Sequence, residues 1–376
     1  MVYLFGLTKK TGEANMYPKP IRDLQGWKVR SGLGENRKSS TTPLEVKKLD
    51  GIYIEHVSCG MCHTVMIARD DTKEEKERIA TLPSYNPVDD RFYFKNSYVS
   101  DFTNTESFLV IVVTSAGQNH VKRNAIRNTW LKLNSDHYKC VFVVGNDDIK
   151  YNKDELVNEM QTYGDIILLP GVSDLYSHLT VKLLNAFIHL HTFWKFKFLL
   201  KCDDDSFVRV PDIVSELRTR FVKISNLYWG FFNGNANIKR KGRWKETKWI
   251  LCDRYLPYAL GGGYILSHSL VEFIAQNHYY LNIFQTEDVS VGTWLAPVNV
   301  TRIHDPRFDT EYVSRGCSNT YLITHKHDET NMRYFYQNLR STGNLCDTEY
   351  KLRLSYLYNW DVEPSKCCIR HNASIP

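Results

Sequence analysis

The hydrophobic pattern divides the chain at about residue 105. Ser107 to Thr114 reads SFLVIVVT, a continuous apolar run of strand length. Val121 to Leu133 changes to helical spacing, with Val121, Ala125 and Ile126 apolar among Lys122, Arg123 and Arg127. Strand-sized apolar runs return at Cys140 to Val144 and Asp165 to Leu169. An amphipathic helix is predicted over Leu179 to Trp194, and a fourth strand over Phe198 to Lys201. Strands alternating with helices predict an α/β fold whose mostly parallel sheet is flanked by helices and binds ligands at its carboxyl edge. Residues 1–82 read differently. Short strand-like pieces, Met1 to Phe5 and Gly51 to Val57, lie among Gly-, Pro- and Ser-rich turns. Residues 83–104 read as a linker, and 105–376 as the α/β domain.

Composition changes this picture little. Of 376 residues, 43% are hydrophobic and 24% charged, as in an ordinary globular protein. The net charge of +6 is too mild to argue for nucleic acid. The nine cysteines form no pair of CxxC motifs, which leaves a structural zinc site without support. Four of them fall in the last 60 residues, near the sequons at Asn299 and Asn372. That clustering points to a secretory compartment with some disulfides. No apolar stretch reaches 18 residues, and no signal-peptide pattern opens the chain.

The chemistry is concentrated in five segments. Asp203, Asp204 and Asp205 follow the fourth strand directly. An Asp run can be a solvated turn, but three adjacent carboxylates at a sheet edge repel one another and call for an offset. A hard divalent cation shared with a diphosphate supplies one. Arg123 and Arg127 share a helix face, as phosphate-gripping arginines do and as any basic helix face does. Gly261 to Gly263 suggest close backbone approach to a ligand or a sheet bend. Glu287-Asp288, before a helix-like stretch, can cap that helix or face a cleft as a general base. His325 follows strand-like Tyr321 to Thr324.

RNAIRNTW, LKCDDDSFV, YALGGGYILS, EDVSVGTWL and ITHK, in this order, resemble the β-1,3-glycosyltransferases, a family of inverting GT-A enzymes. The resemblance covers roughly residues 105–376. It implies a GT-A fold and a divalent ion, usually Mn²⁺, with Asp205 as direct ligand, Asp203 beside it and His325 completing the set. It implies that Arg123, Arg127, Asp203, Asp204, Gly262 and Gly263 surround the UDP-sugar, with Asp204 between metal and sugar. Asp288 matches the inverting base, and Glu287 would orient it. The segments YWGFFNGNANIKRKGRW and LSYLYNWDVEPSKCC are similar to the members that build the glycosaminoglycan linkage region. They imply UDP-galactose as donor and the galactosyl-xylose primer on a proteoglycan core protein as acceptor. Family members are type II membrane proteins of the Golgi lumen, but no spanning segment is present in this sequence.

Trp229, Lys239, Arg240 and Trp244 are the candidate acceptor contacts. Between residues 238 and 248 six cations face one anion, Glu246, so this stretch is expected to attract an acidic acceptor. The motifs shared across the family do not select the sugar, so β-1,3-N-acetylglucosaminyl transfer, or another β-1,3-galactosyl transfer, remains the alternative. Residues 1–70 resemble blades of the regulator of chromosome condensation propeller, through Pro18-Lys19-Pro20-Ile21, Gly32-Leu33-Gly34 and Cys59-Gly60 with His63-Thr64. That likeness implies a chromatin- or GTPase-binding fragment as the non-enzymatic alternative, with too few blades to close a propeller.

Overall fold

The computed structural model describes residues 106–133, 138–146, 153–169, 171–370 and 375–376, together with four strands nearer the N-terminus. The chain divides into two units, Met1–Asn86 and Pro87–Pro376. In the first, β1 (Tyr3–Leu7) pairs antiparallel with β2 (Ala14–Pro20), and β3 (Tyr53–Cys59) with β4 (Thr64–Arg69). Most of the propeller-like residues, the 83–104 linker and Asn372 lie outside the described residues.

The second unit is built on a strand that is apolar on both faces. In β5 (Glu106–Thr114), Leu109, Ile111 and Val113 enter one core while Val110 and Val112 enter another. Such a strand needs cover on both sides, and it receives it at the centre of a seven-stranded sheet. Parallel neighbours are β6 (Tyr138–Gly145), then β7 (Ile166–Leu169), on one side and β8 (Lys195–Asp203) on the other. β11 (Tyr258–Ser267) adds antiparallel to β8, β10 (Leu227–Asn233) antiparallel to β11, and β12 (Thr301–His304) parallel to β10. Four of the six pairings are parallel. The result is a mostly parallel sheet between helical layers, the α/β architecture that the alternation of strands and helices predicts.

Along one face run α3 (Leu179–Phe193) and α5 (His268–Gln276), with Leu183, Phe187, Leu190, Val271 and Ile274 in that core. α1 (His120–Asn128), α2 (Lys153–Tyr163), α4 (Val210–Glu216) and α7 (Glu329–Thr342) contribute Ile126, Leu156, Ile213 and Met332 to the other core. The helix predicted to reach Leu133 ends at Asn128. Thr129 leaves helical geometry at φ −124°, and only a 3-10 turn, Trp130–Lys132, follows. A small second sheet, β13 (Phe308–Asp309), β15 (Ile323–His325) and β9 (Ser206–Val208), stands at the carboxyl edge of β8. Among the described residues no helix is long and apolar enough to cross a membrane.

Candidate active site

The three aspartates have three different environments. Asp203 ends β8 opposite Thr114. Its Oδ1 accepts from Thr114 Oγ1 at 2.9 Å and from the ammonium of Lys201 at 2.8 Å. Its Oδ2 lies 3.6 Å from His325 Nε2. Asp205 is beyond the turn, with Oδ1 buried, accepting no hydrogen bond and 3.2 Å from the same His325 nitrogen. Antiparallel pairing of Ser206 with His325 brings the imidazole there, so His325 lies within a strand rather than just after one. One ligand atom from each of Asp203, Asp205 and His325 fits within a 4.8 Å cluster. Burial disfavours the imidazolium, but the two carboxylates outweigh it and push His325 up to about 9.

Asp204 turns the other way. It is buried and accepts from Ser115 Oγ at 2.9 Å, Asn119 Nδ2 at 2.7 Å and Lys122 Nζ at 2.9 Å. It ties the turn to the start of α1 while lining, with Asp203 and Asp205, a cavity beside Thr114 to Ala116.

The two arginines of α1 are corrected. Arg123 is fully buried and gives Nε and Nη2 to Glu159 at 2.8 and 2.6 Å, with further bonds to Ser115 Oγ and the carbonyls of Ala116 and Gly117. Arg127 pairs with Glu159 and, through two bonds, with Asp165. All five guanidinium donors of Arg123 and four of the five of Arg127 are used inside the fold, which leaves no two-pronged fork to grip a phosphate. Trp229 is likewise core. It is fully buried between Phe221 and Phe308, and its indole donates to Asp305 at 3.0 Å.

β11 forms the floor of the site. A side-chain carbon at Gly261 would stand 2.4 Å from Glu287 Oε1, and one at Gly262 2.7 Å from the His325 ring. Gly261 and Gly262 therefore make room for the side chains of Glu287 and His325. Gly263 faces Ile323 instead of a ligand. Below them Lys201, fully buried in β8, donates to Asp203, to Glu287 Oε1 at 2.7 Å and to the Gly261 carbonyl at 2.7 Å. Burial disfavours its charge, and the carboxylates of Asp203 and Glu287 more than restore it. Next to it Cys202 is a buried free thiol pointing into the core.

Glu287 and Asp288 open α6 (Glu287–Trp294), and neither side chain caps it, since the N-cap residue is Thr286. Asp288 accepts from Gly261 N at 3.2 Å and Val289 N at 2.8 Å. Burial, then the neighbouring charge of Glu287, raises its carboxyl to about 7. Asp203, Asp205, His325, Glu287 and Asp288 line one cavity of about 400 Å³. A carboxyl of raised proton affinity and a cluster of metal-ligand type therefore face the same space.

The rim of this cavity carries residues that the motifs did not reveal. Arg243 stacks over Tyr176 at 4.6 Å and reaches both this cavity and a neighbouring one beside Thr114 to Ala116. Lys326 holds a left-handed backbone at φ 70°, a costly conformation for Lys, with its ammonium 3.4 Å from the Tyr312 ring. Thr310 Oγ1 is buried, lines the cavity and has no hydrogen-bond partner among the described residues. Lys239 and Trp244 also line it, whereas Arg240 lies outside, exposed, with one bond to the Glu246 carbonyl. Asn299 is exposed between α6 and β12. Spacing alone would not have found Arg243 or Lys326. The one available signal was Lys326 directly following His325.

The Galactosyltransferase family profile matches residues 121–306. The chain is 46% identical over 271 residues to beta-1,3-galactosyltransferase 6 of Mus musculus, covering 70% of this chain and 83% of that protein. It is 31% identical over 194 residues to UDP-GalNAc:beta-1,3-N-acetylgalactosaminyltransferase 2 of Xenopus laevis, covering 52% of this chain and 39% of that one.

Proposed function

Because the chain belongs to the galactosyltransferase family, we propose that it is an inverting β-1,3-galactosyltransferase moving galactose from UDP-galactose to the 3-hydroxyl of the galactosyl-xylose primer on proteoglycan core protein. The observation that carries this reading is Asp288, a carboxyl raised to about 7 that shares its cavity with the Asp203, Asp205 and His325 cluster.

The residues fit a divalent ion. Asp205 Oδ1 is buried without a hydrogen bond, and two carboxylates with one imidazole suit a borderline-hard ion such as Mn²⁺. Bound there, the ion would act as a Lewis acid toward the charge gathering on the departing diphosphate. Thr114 and Lys201 hold Asp203 Oδ1, which fixes the direction of Oδ2. Arg243 and Lys326 are the rim cations placed for the phosphates, a role that passes to them from Arg123 and Arg127. Asp288 takes the proton of the acceptor hydroxyl as its oxygen bonds to the anomeric carbon and the bond to the diphosphate breaks. A proton affinity near neutrality suits a base at that pH. Glu287, held by Lys201, keeps Asp288 from ionising too readily. One displacement inverts the anomeric centre, so no separate nucleophile is needed.

The reading carries with it the Golgi lumen and a type II membrane anchor. Disulfides Cys317–Cys346 and Cys367–Cys368 and the exposed sequon Asn299 support an oxidising, glycosylating compartment. The test is to incubate the full chain with Mn²⁺, a galactosyl-xyloside and either UDP-galactose or UDP-N-acetylglucosamine, beside Asp205→Ala and Asp288→Asn. Galactose transfer in β1,3 linkage, lost in both variants, is expected. No transfer by the parent, or undiminished transfer by both variants, overturns the reading. Transfer of N-acetylglucosamine alone would select the other donor.

A further inference from the structure

We propose that the exposed cations of the 239–248 loop form a docking surface for an acidic polypeptide segment that carries the acceptor sugar. This rests on the galactosyltransferase reading and adds the recognition of the polypeptide itself. The loop holds Lys239, Arg240, Lys241, Arg243, Lys245 and Lys248, all exposed. Its single acid does not balance them. Glu246 is buried, and its two oxygens accept the backbone amides of Lys248 at 2.6 Å and Gln285 at 2.7 Å. Ion pairs are formed by many other cations of this unit, but Lys239, Lys241, Lys245 and Lys248 have none among the described residues. Six positive charges therefore stand together without internal compensation.

Their position identifies the occupant. Lys239, Arg243 and Trp244 line the catalytic cavity, while Lys241, Lys245 and Lys248 are exposed in the same short loop. Trp244 packs edge-on against Tyr312, which is 65% exposed, so the boundary between cavity and basic surface is aromatic. Lys241 and Lys245 lie within two residues of these lining positions, within reach of a polypeptide whose sugar occupies the cavity. Glu246 also fastens the loop to Gln285, two residues before Glu287, so the surface keeps a set place relative to the base. Exposed charges of this sort lower KM at low salt and lose their effect as salt screens them.

The test uses the full chain with two galactosyl-xylosyl serine peptides, one flanked by Asp and Glu, the other by Asn and Gln. At low salt, KM for the acidic peptide should be about tenfold lower, the scale of a few exposed charge pairs. The preference should vanish in high salt. Lys241→Glu, Lys245→Glu and Lys248→Glu combined should reverse it while leaving kcat on the neutral peptide unchanged. That unchanged kcat also shows that the variant is folded. Equal KM for the two peptides, or a preference that survives the triple substitution, overturns the inference with the galactosyltransferase reading intact. Binding to phosphatidylserine vesicles without any preference between peptides would assign the surface to a membrane and overturn it too. Turnover of neither peptide defeats both.

Discussion

Replacing Asp288 by Asn should stabilise the protein at pH 8 while abolishing transfer. The Asp288 carboxyl is raised from its ordinary 3.8 to about 7 by burial and by Glu287. Between those two pH values the folded chain binds a proton that the unfolded chain has released, so this group's contribution falls as pH rises through the window. A rise of that size corresponds to about 4 kcal/mol against ionising the group in the folded state. The carboxyl borders an open cavity and is only half-buried, so water reduces the figure to about 1–2 kcal/mol. For a unit of this size that is about 2–3 °C in Tm at pH 8, and close to nothing at pH 4, where both folded proteins are neutral at this position. Asn can accept from only one of Val289 N and Gly261 N, so a constant offset is expected, and the readout is the change of the difference with pH. Thermal melts of both proteins from pH 4 to pH 8, without donor or added metal, measure it. A Tm difference that does not move with pH would refute the assignment of a costly ionised base.

Three further outcomes follow from the same geometry. The acidic limb of kcat against pH should lie near 7, and Glu287→Gln, which can still accept from Lys201, should move it down by about one pH unit as the adjacent charge is removed; an unmoved limb would show that Glu287 does not tune the base. Arg123→Ala should destabilise by about 3 kcal/mol or more by leaving Glu159 Oε2 and the Ala116 and Gly117 carbonyls without their buried donor, read by denaturant melts, with KM for UDP-galactose in the surviving enzyme unchanged. Gly262→Ala drives a carbon into the His325 ring, so Mn²⁺ affinity measured by titration calorimetry should fall at least tenfold.

What was legible in the chain was whatever lies along one segment. The apolar runs located β5, β6 and β8, and the acids after Leu200 marked a sheet edge because a buried strand cannot end in three charges without purpose. What escaped was partnership across long separations. Arg123 and Arg127 have the spacing of an anion grip, but Glu159 and Asp165, more than thirty residues on, come from α2 and the start of β7 and consume them. Lys201 reads as an edge residue, and only the antiparallel arrival of β11 and the start of α6 turns it into a buried bridge. Trp229 belongs to an aromatic run on β10, where the inward face could not be distinguished from a sugar platform. The division of labour among Asp203, Asp204 and Asp205 depends on β15, which supplies His325 from 120 residues away.

The loop over the cavity is seated by one carboxylate gripping two main-chain amides. Any sequence offers such amides, so the outward side chains Lys241, Lys245 and Lys248 are free to vary without unseating it. The catalytic floor, by contrast, admits almost no change, because glycine clearances and a shared ammonium leave no spare room. A scaffold divided in this way can acquire new clients by rewriting a few exposed residues at its mouth, with its chemistry left untouched.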